Sequence, residues 1–191
     1  RAATETLCAP LETEDYVPQP VVDVSPPKWN IAHVTWFFEE MILKKFPENY
    51  QIFNENFGYL FNSYYNSVGE RTRRDNRGDL SRPTVAEVFA YRKYVDEKMT
   101  GLLSRELPGE IKDLVVLGLN HEQQHQELFL TDFKYILSRN PLFPVYREDF
   151  APEEKVETER GGFVEIPEGI YEIGYAGDGF CFDNELGRHK V

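Results

Sequence analysis

The 191-residue sequence has only two cysteines and no long run of apolar residues. Cys8 and Cys181 lie near opposite ends, so the pattern does not indicate a framework of disulfide bonds. A membrane-spanning helix needs about 18 consecutive apolar residues, and a signal peptide needs a shorter apolar run near the start. Neither pattern is present, so a reducing, cytoplasmic location is the simplest expectation.

Basic residues are also scarce. The chain has 21 Lys and Arg against 33 Asp and Glu, which gives a net charge of -12. This balance argues against nucleic acid or an anionic membrane as a partner, because both require a broad basic surface. Hydrophobic residues make up 41% and aromatic residues 14% of the chain, which favours a packed core over disorder.

Two segments before residue 40 have helical character. Leu7, Cys8 and Leu11 have helical spacing and predict the end of a first helix, which the prolines from Pro18 onward interrupt. Ser25 precedes two prolines and is the expected N-cap of a second helix, which carries His33 on an aromatic face.

Two further helices follow a long segment rich in Asn, Gly, Tyr and Arg. Thr84 and Glu87 form a capping box that opens a helix to about Leu103. The last helix is predicted from about Glu110 to Ser138. The fold class expected for residues 1–140 is therefore mainly α, as a four-helix bundle with one long connection.

The character of the chain changes after residue 140. Residues 141–160 are rich in Pro and charged residues and predict a linker. Residues 162–166 and 170–173 alternate like two short strands, so residues 161–191 are expected to begin a second, α+β domain. The chain starts at Arg1 rather than Met and ends without a turn signal, which suggests part of a longer protein.

His121 and His125 carry the most specific signal in the sequence. Residues four apart on a helix differ by roughly 40° in direction, so both imidazoles share the face that packs inward and can bind one metal ion. The chain has four histidines, and His189 lies near its end, so His33 is the remaining candidate for a third ligand. Three imidazoles leave coordination positions open for a thiolate or O₂, but they do not choose between iron and zinc.

Two other interpretations stay open at this level. His33 could be a core histidine satisfied by a backbone or hydroxyl acceptor. His121-Glu122-Gln-Gln-His125 also has the form of a zinc peptidase motif, with Glu122 as general base. The peptidase pattern continues with a glycine and a third histidine, or with a later glutamate ligand, and the residues directly after His125 do not include that glycine or histidine.

The order of several motifs resembles the ergothioneine-biosynthesis sulfoxide synthases, also called hercynine oxygenases. These motifs lie at residues Asp23 to Glu39, Leu60 to Tyr65, Arg77 to Val88 and His121 to Glu127. The resemblance implies a DinB-like four-helix bundle followed by a domain similar to formylglycine-generating enzyme, of which residues 161–191 would be the truncated start.

The resemblance also implies a reaction and a site. Fe(II) would be held by His33, His121 and His125, with O₂ as co-substrate. Zinc or another divalent metal could occupy the same site in the protein as it is isolated. The enzyme would join a cysteine-type thiol to the imidazole of Nα-trimethylhistidine (hercynine) as a sulfoxide. Gln124 would place the imidazole substrate, and Arg74 and Arg77 would bind the carboxylate of the thiol.

One residue departs from the family pattern. Asn30 stands where members commonly have a histidine, and we expect it to act outside the ligand set. The family's catalytic tyrosine would lie beyond Val191, so we expect this chain alone to bind metal but to be catalytically impaired, with the rest of its C-terminal domain as a partner. Relatives that make ovothiol or selenium analogues share these motifs, and a DinB-like thiol transferase that needs no O₂ is the rival of a different class.

Overall fold

A computed structural model describes residues 1–47, 49–63, 69, 71–149 and 161–191. The chain divides into two compact units, Arg1–Glu148 and Asp149–Val191. Most of the predicted linker, together with Tyr64 and Tyr65 of the second family motif, lies outside the described residues. The predicted boundaries at residues 140 and 160 therefore stay a prediction.

The first unit is helical, as the sequence predicted. Its α-helices are α1 (Ala2–Cys8), α2 (Pro27–Phe38), α3 (Phe57–Leu60), α4 (Val85–Leu103) and α5 (Gly109–Arg139). Helix α2 continues directly into a π-helical turn, Glu39–Leu43, and two 3₁₀ turns lie at Thr13–Tyr16 and Arg74–Asp79.

Helix α2 forms the centre of this unit. All of its residues are buried, and it packs against both α4 and α5, while α1 packs against α5. A helix that is covered on every side needs no polar face, so α2 lacks the amphipathic pattern seen in surface helices. The long connection covers part of it, because the indole N–H groups of Trp29 and Trp36 donate to the carbonyls of Leu60 and Gly58.

The structure confirms the capping box of α4. The Glu87 amide donates to the Thr84 hydroxyl oxygen, and the Glu87 carboxylate accepts from the Thr84 amide at 2.7 Å. The N-cap predicted for α2 is wrong: Pro26 holds that position, and Ser25 makes no capping bond. The Ser25 hydroxyl oxygen instead accepts a hydrogen bond from Arg77, a partner distant in sequence.

In the second unit, residues 161–191 include a small two-stranded sheet. Strand β1 (Glu172–Ile173) pairs antiparallel with β2 (His189–Lys190). The predicted strand at 162–166 is wrong, since no strand is assigned there in the described segment 161–191. Its apolar side chains are exposed, and apolar alternation makes a strand only where another strand supplies hydrogen bonds. None of the described helices combines the length and apolar character needed to cross a membrane.

Candidate metal centre

Three histidines from two helices meet at one point inside the first unit. His33, His121 and His125 each offer a ring nitrogen, and these nitrogen atoms lie within 4.8 Å of one another. The ring centroid of His33 lies 5.0 Å from that of His121 and 5.0 Å from that of His125. The ring centroids of His121 and His125 are 4.7 Å apart. The structure thus brings together the three residues that the sequence singled out.

A glycine lets the two helices approach closely enough for this. Gly118 lies on α5, three residues before His121, and faces α2. A Cβ atom at this position would come within 2.8 Å of Phe38 and 2.9 Å of Phe37. The absence of a side chain therefore permits the contact that places His33 opposite the α5 histidines.

His33 is held firmly on α2. Its ring stacks between Trp29 and Trp36, with centroid distances of 4.8 and 5.6 Å. Its Nδ1–H donates to the carbonyl of Phe61 at 2.7 Å, because a carbonyl can only accept. His33 is thus the satisfied core histidine of the alternative interpretation, yet that bond uses one nitrogen and leaves Nε2 available as a ligand.

His125 is held by side chains. Its Nδ1 lies 3.0 Å from Oδ1 of Asn30, and the Nδ2 of Asn30 lies 3.1 Å from a carboxylate oxygen of Asp132. Asn30 and Asp132 are almost fully buried. Asn30 therefore links a candidate metal ligand, His125, to the carboxylate of Asp132.

His121 differs from the other two. Its Nδ1 is buried and has no hydrogen-bond partner among the described residues. Burying an imidazole nitrogen without a partner is costly, and binding to a metal ion would remove that cost. The unsatisfied atom is an independent observation that fits a metal at this point.

The surroundings keep all three imidazoles neutral. Burial lowers the pKa of His121 to about 4 and, with the neighbouring His121 and Arg77, lowers the pKa of His125 to about 3. Burial also holds the pKa of His33 well below its usual value. At neutral pH each ring therefore keeps the lone pair that a metal ion requires.

The histidines line a cavity of about 270 Å³, together with Gln124, Arg74 and Arg77. The three histidines predicted from spacing and the three residues implied by the family resemblance thus border one space. The remaining walls include Asp23, Ser25, Trp29, Asn30, Ser63, Leu128 and Asp132.

The two arginines differ in burial. The guanidinium of Arg77 is buried, lies 3.3 Å above the ring of Trp29, and donates to the hydroxyls of Ser25 and Ser63. Arg74 is exposed and donates to the backbone carbonyls of Val22 and Asp23. Arg77 is therefore fixed by its surroundings, whereas Arg74 lies at the solvent side.

Glu122 faces a different environment. Its carboxylate accepts hydrogen bonds from Arg1, Thr4 and Arg92, and it does not line the cavity. Burial alone would raise the pKa of this carboxyl, but Arg1 and Arg92 lower it to about 2. Glu122 is thus a paired, ionised group that does not face the histidines as a peptidase base would.

Sequence reasoning missed Asp132 and the contact made by Asn30. Asp132 follows His125 by seven residues, which is two helical turns, so its place on the histidine face of α5 was readable from spacing. No local pattern predicted its pairing with Asn30, because the two residues lie on different helices.

Comparison with known proteins agrees with this architecture. The sequence has no significant match among the curated proteins compared with it. A family model described as the DinB superfamily matches residues 1–129, which includes all three histidines. The chain, a helical protein with a candidate site for a divalent metal, belongs to the DinB superfamily.

Proposed function

We propose that this chain provides the metal centre of a non-haem Fe(II)-dependent sulfoxide synthase, which joins a cysteine-type thiol to Nα-trimethylhistidine. One observation carries the proposal: three neutral histidines meet at a cavity that Gln124 and two arginines also line. This combination offers three ligands for a metal ion, two guanidinium groups for a carboxylate and one amide side chain around a single small cavity.

Three imidazoles suit this chemistry. They bring no negative charge, so a bound Fe(II) would keep its full charge, attract a thiolate and relay to O₂ the electrons that the substrates give up. His33 and His125 would bind through Nε2, since their Nδ1 atoms are engaged with Phe61 and Asn30. Residues outside the three histidines would hold the substrates.

The proposed reaction balances without another reductant. The thiol loses its S–H hydrogen and the imidazole loses its C2–H hydrogen as the C–S bond forms. One atom of O₂ becomes the sulfoxide oxygen, and the other leaves as water with the two hydrogens. The two organic substrates together supply the four electrons that O₂ accepts.

Arg77 and Arg74 are proposed to hold the carboxylate of the thiol substrate. A guanidinium presents several N–H donors that match the two oxygens of a carboxylate. Ser25, Ser63 and Trp29 hold Arg77 in place, so little side-chain freedom would be lost when the substrate binds. Gln124, which also lines the cavity, is proposed to orient the imidazole substrate.

The remainder of the active site is proposed to lie in a domain similar to formylglycine-generating enzyme that begins near residue 161. That domain would provide a tyrosine as the catalytic acid. The thiol would be cysteine or γ-glutamylcysteine, since both carry a carboxylate that the two arginines could bind. An ovothiol-type sulfoxide synthase would use the same residues.

A metal-dependent thiol transferase is the main rival. Membership of the DinB superfamily supports a metal-bound thiolate as well as it supports O₂ chemistry. A zinc peptidase has less support, because Arg1, Thr4 and Arg92 already occupy the carboxylate of Glu122.

Oxygen consumption distinguishes these functions. The chain, extended by the rest of its C-terminal domain and loaded with Fe(II), is incubated with Nα-trimethylhistidine and either thiol. The proposal predicts consumption of O₂ in a ratio of about one to one with sulfoxide, and its loss in His125→Ala but not in His189→Ala. Conjugation of the thiol that proceeds equally well without O₂ would overturn the oxygenase and favour the transferase.

A further inference from the structure

Asn30, on helix α2, forms hydrogen bonds to two residues of helix α5, His125 and Asp132. Its Oδ1 is 3.0 Å from Nδ1 of His125, and its Nδ2 is 3.1 Å from Oδ2 of Asp132. The Nδ2 atom is also 3.4 Å from the carbonyl oxygen of Ser25. Asn30 is 2% exposed and Asp132 is 7% exposed, so competition from water is weak.

These contacts permit one orientation of the amide. The carbonyl of Ser25 and the carboxylate of Asp132 are both acceptors, so the NH₂ end of Asn30 must face them. The reversed amide would place its oxygen against two other oxygens and its NH₂ group against His125. The backbone amide of Ser25 also donates to Oδ2 of Asp132, at 3.3 Å, which keeps the carboxylate in position.

The orientation of the amide fixes the proton on His125. A carboxamide oxygen can only accept, so Nδ1 of His125 must carry the hydrogen. The lone pair then lies on Nε2. In a free imidazole the proton can occupy either nitrogen, and a ring protonated at Nε2 cannot bind a metal through that atom.

We propose that Asn30 and Asp132 are positioning residues that hold His125 in its Nδ1–H form, with Nε2 directed to the metal. The proposal rests on the metal site of the proposed function and adds a pair of residues that act through a ligand. The carbonyl of Phe61 likewise holds His33 in its Nδ1–H form, but a backbone carbonyl cannot be removed by substitution. The histidine that side chains control is therefore His125.

Three variants separate orientation from charge. Asn30→Leu keeps the approximate volume but removes the acceptor for His125. Asp132→Leu removes the nearer of the two acceptors that orient Asn30 and leaves only the carbonyl of Ser25. Asp132→Asn still offers an amide oxygen to Asn30 and to the Ser25 amide, so it loses only the charge. Asn120→Leu is the matched control, because Asn120 lies beside His121 but its side chain bonds to the carbonyl of Val116 on its own helix.

The first readout is the ¹⁵N NMR spectrum of the histidine rings in the metal-free protein at neutral pH. We expect His125 to be the Nδ1–H form in the wild type, in Asp132→Asn and in Asn120→Leu. We expect a mixture of both forms in Asn30→Leu and Asp132→Leu. The wild-type measurement needs no variant, so it tests the proposal even if a substitution prevents folding.

The second readout is the affinity for Zn²⁺, measured by competition with a chromophoric chelator. Loss of a group that orients a metal-bound histidine weakens binding by about 10 to 100 times, and we expect this loss in Asn30→Leu and Asp132→Leu. Asp132→Asn should lose less than Asp132→Leu, and Asn120→Leu should match the wild type. Circular dichroism verifies that each variant is folded.

Two results would overturn the inference: an Nε2–H form of His125 in the wild type, or a folded Asn30→Leu that keeps both the Nδ1–H form and the affinity. Failure of the proposed function looks different. A wild type that binds Zn²⁺ with the predicted dependence on Asn30 but never consumes O₂ refutes the oxygenase and leaves the positioning role intact.

Discussion

Arg92 and Glu122 form a buried ion pair between helices α4 and α5. Their side chains are 1% and 2% exposed, and the Glu122 carboxylate also accepts hydrogen bonds from Arg1 and Thr4. Glu122 follows His121 directly in the sequence, but neither Arg92 nor Glu122 borders the cavity that the histidines line. Glu122 therefore anchors α5 to its neighbours and leaves the metal centre to the imidazoles.

Removing Arg92 should destabilise the fold. Arg92→Met leaves the Glu122 carboxylate buried with only Arg1 and Thr4, and breaking a buried pair costs about 3 kcal/mol. Lys93→Met is the matched control on the next residue, since Lys93 and Glu97 form an exposed pair at 4.0 Å. Urea denaturation should show the loss for Arg92→Met and little change for the control. Equal losses of unfolding free energy in the two variants would show that the buried pair contributes no more to stability than the exposed one.

The same pair predicts a loss of stability in acid. The pKa of Glu122 falls from an ordinary 4.5 to about 2 in the folded chain, so the folded state favours the ionised carboxylate. The stability it contributes is complete above pH 4.5 and is lost as the pH falls through 4.5 toward 2. In metal-free protein, the difference in unfolding free energy between wild type and Glu122→Gln should therefore shrink from pH 6 to pH 3. A difference that stays constant over this range would contradict the assignment.

Gly118 should tolerate no side chain. Its Cβ would come within 3 Å of Phe37 and Phe38, so Gly118→Ala forces α5 away from α2 and should cost about 2 kcal/mol. The same shift separates His121 from His33 and should weaken metal binding. Gly101→Ala is the control, because no atom lies within 4 Å of its Cβ position on α4, and it should stabilise the helix by about 0.5 kcal/mol. Stabilisation by both substitutions would contradict the close contact.

Local signals in the sequence predicted most of the helices. The capping box at Thr84 and Glu87 fixed the start of α4, and the Pro108-Gly109 step placed the start of α5 within one residue. The first helix ends at Cys8, earlier than the spacing of Leu11 suggested, because Pro10 follows almost at once. The strand predicted at 162–166 failed because alternation shows what a strand could bury and not whether a partner strand exists.

The candidate site was predictable where it depends on spacing within one helix, and not where it depends on packing between helices. Helical spacing placed His121 and His125 on one face, and counting histidines left His33 as the third candidate. The contacts of Asn30 with His125 and Asp132 depend on how α2 packs against α5, which no local pattern encodes. The stacking of Arg77 on Trp29 likewise joins two segments that are 48 positions apart in the sequence.

Metal content is the most direct test of the central claim, that His33, His121 and His125 together hold one divalent ion. Purified protein is loaded with Fe(II) or Zn²⁺, dialysed, and analysed by elemental mass spectrometry, with His33→Ala, His121→Ala, His125→Ala and the control His189→Ala treated in parallel. We predict about one ion per chain in the wild type and in His189→Ala, and a large loss in each of the other three variants. Unchanged metal content in all three of those variants would contradict the site.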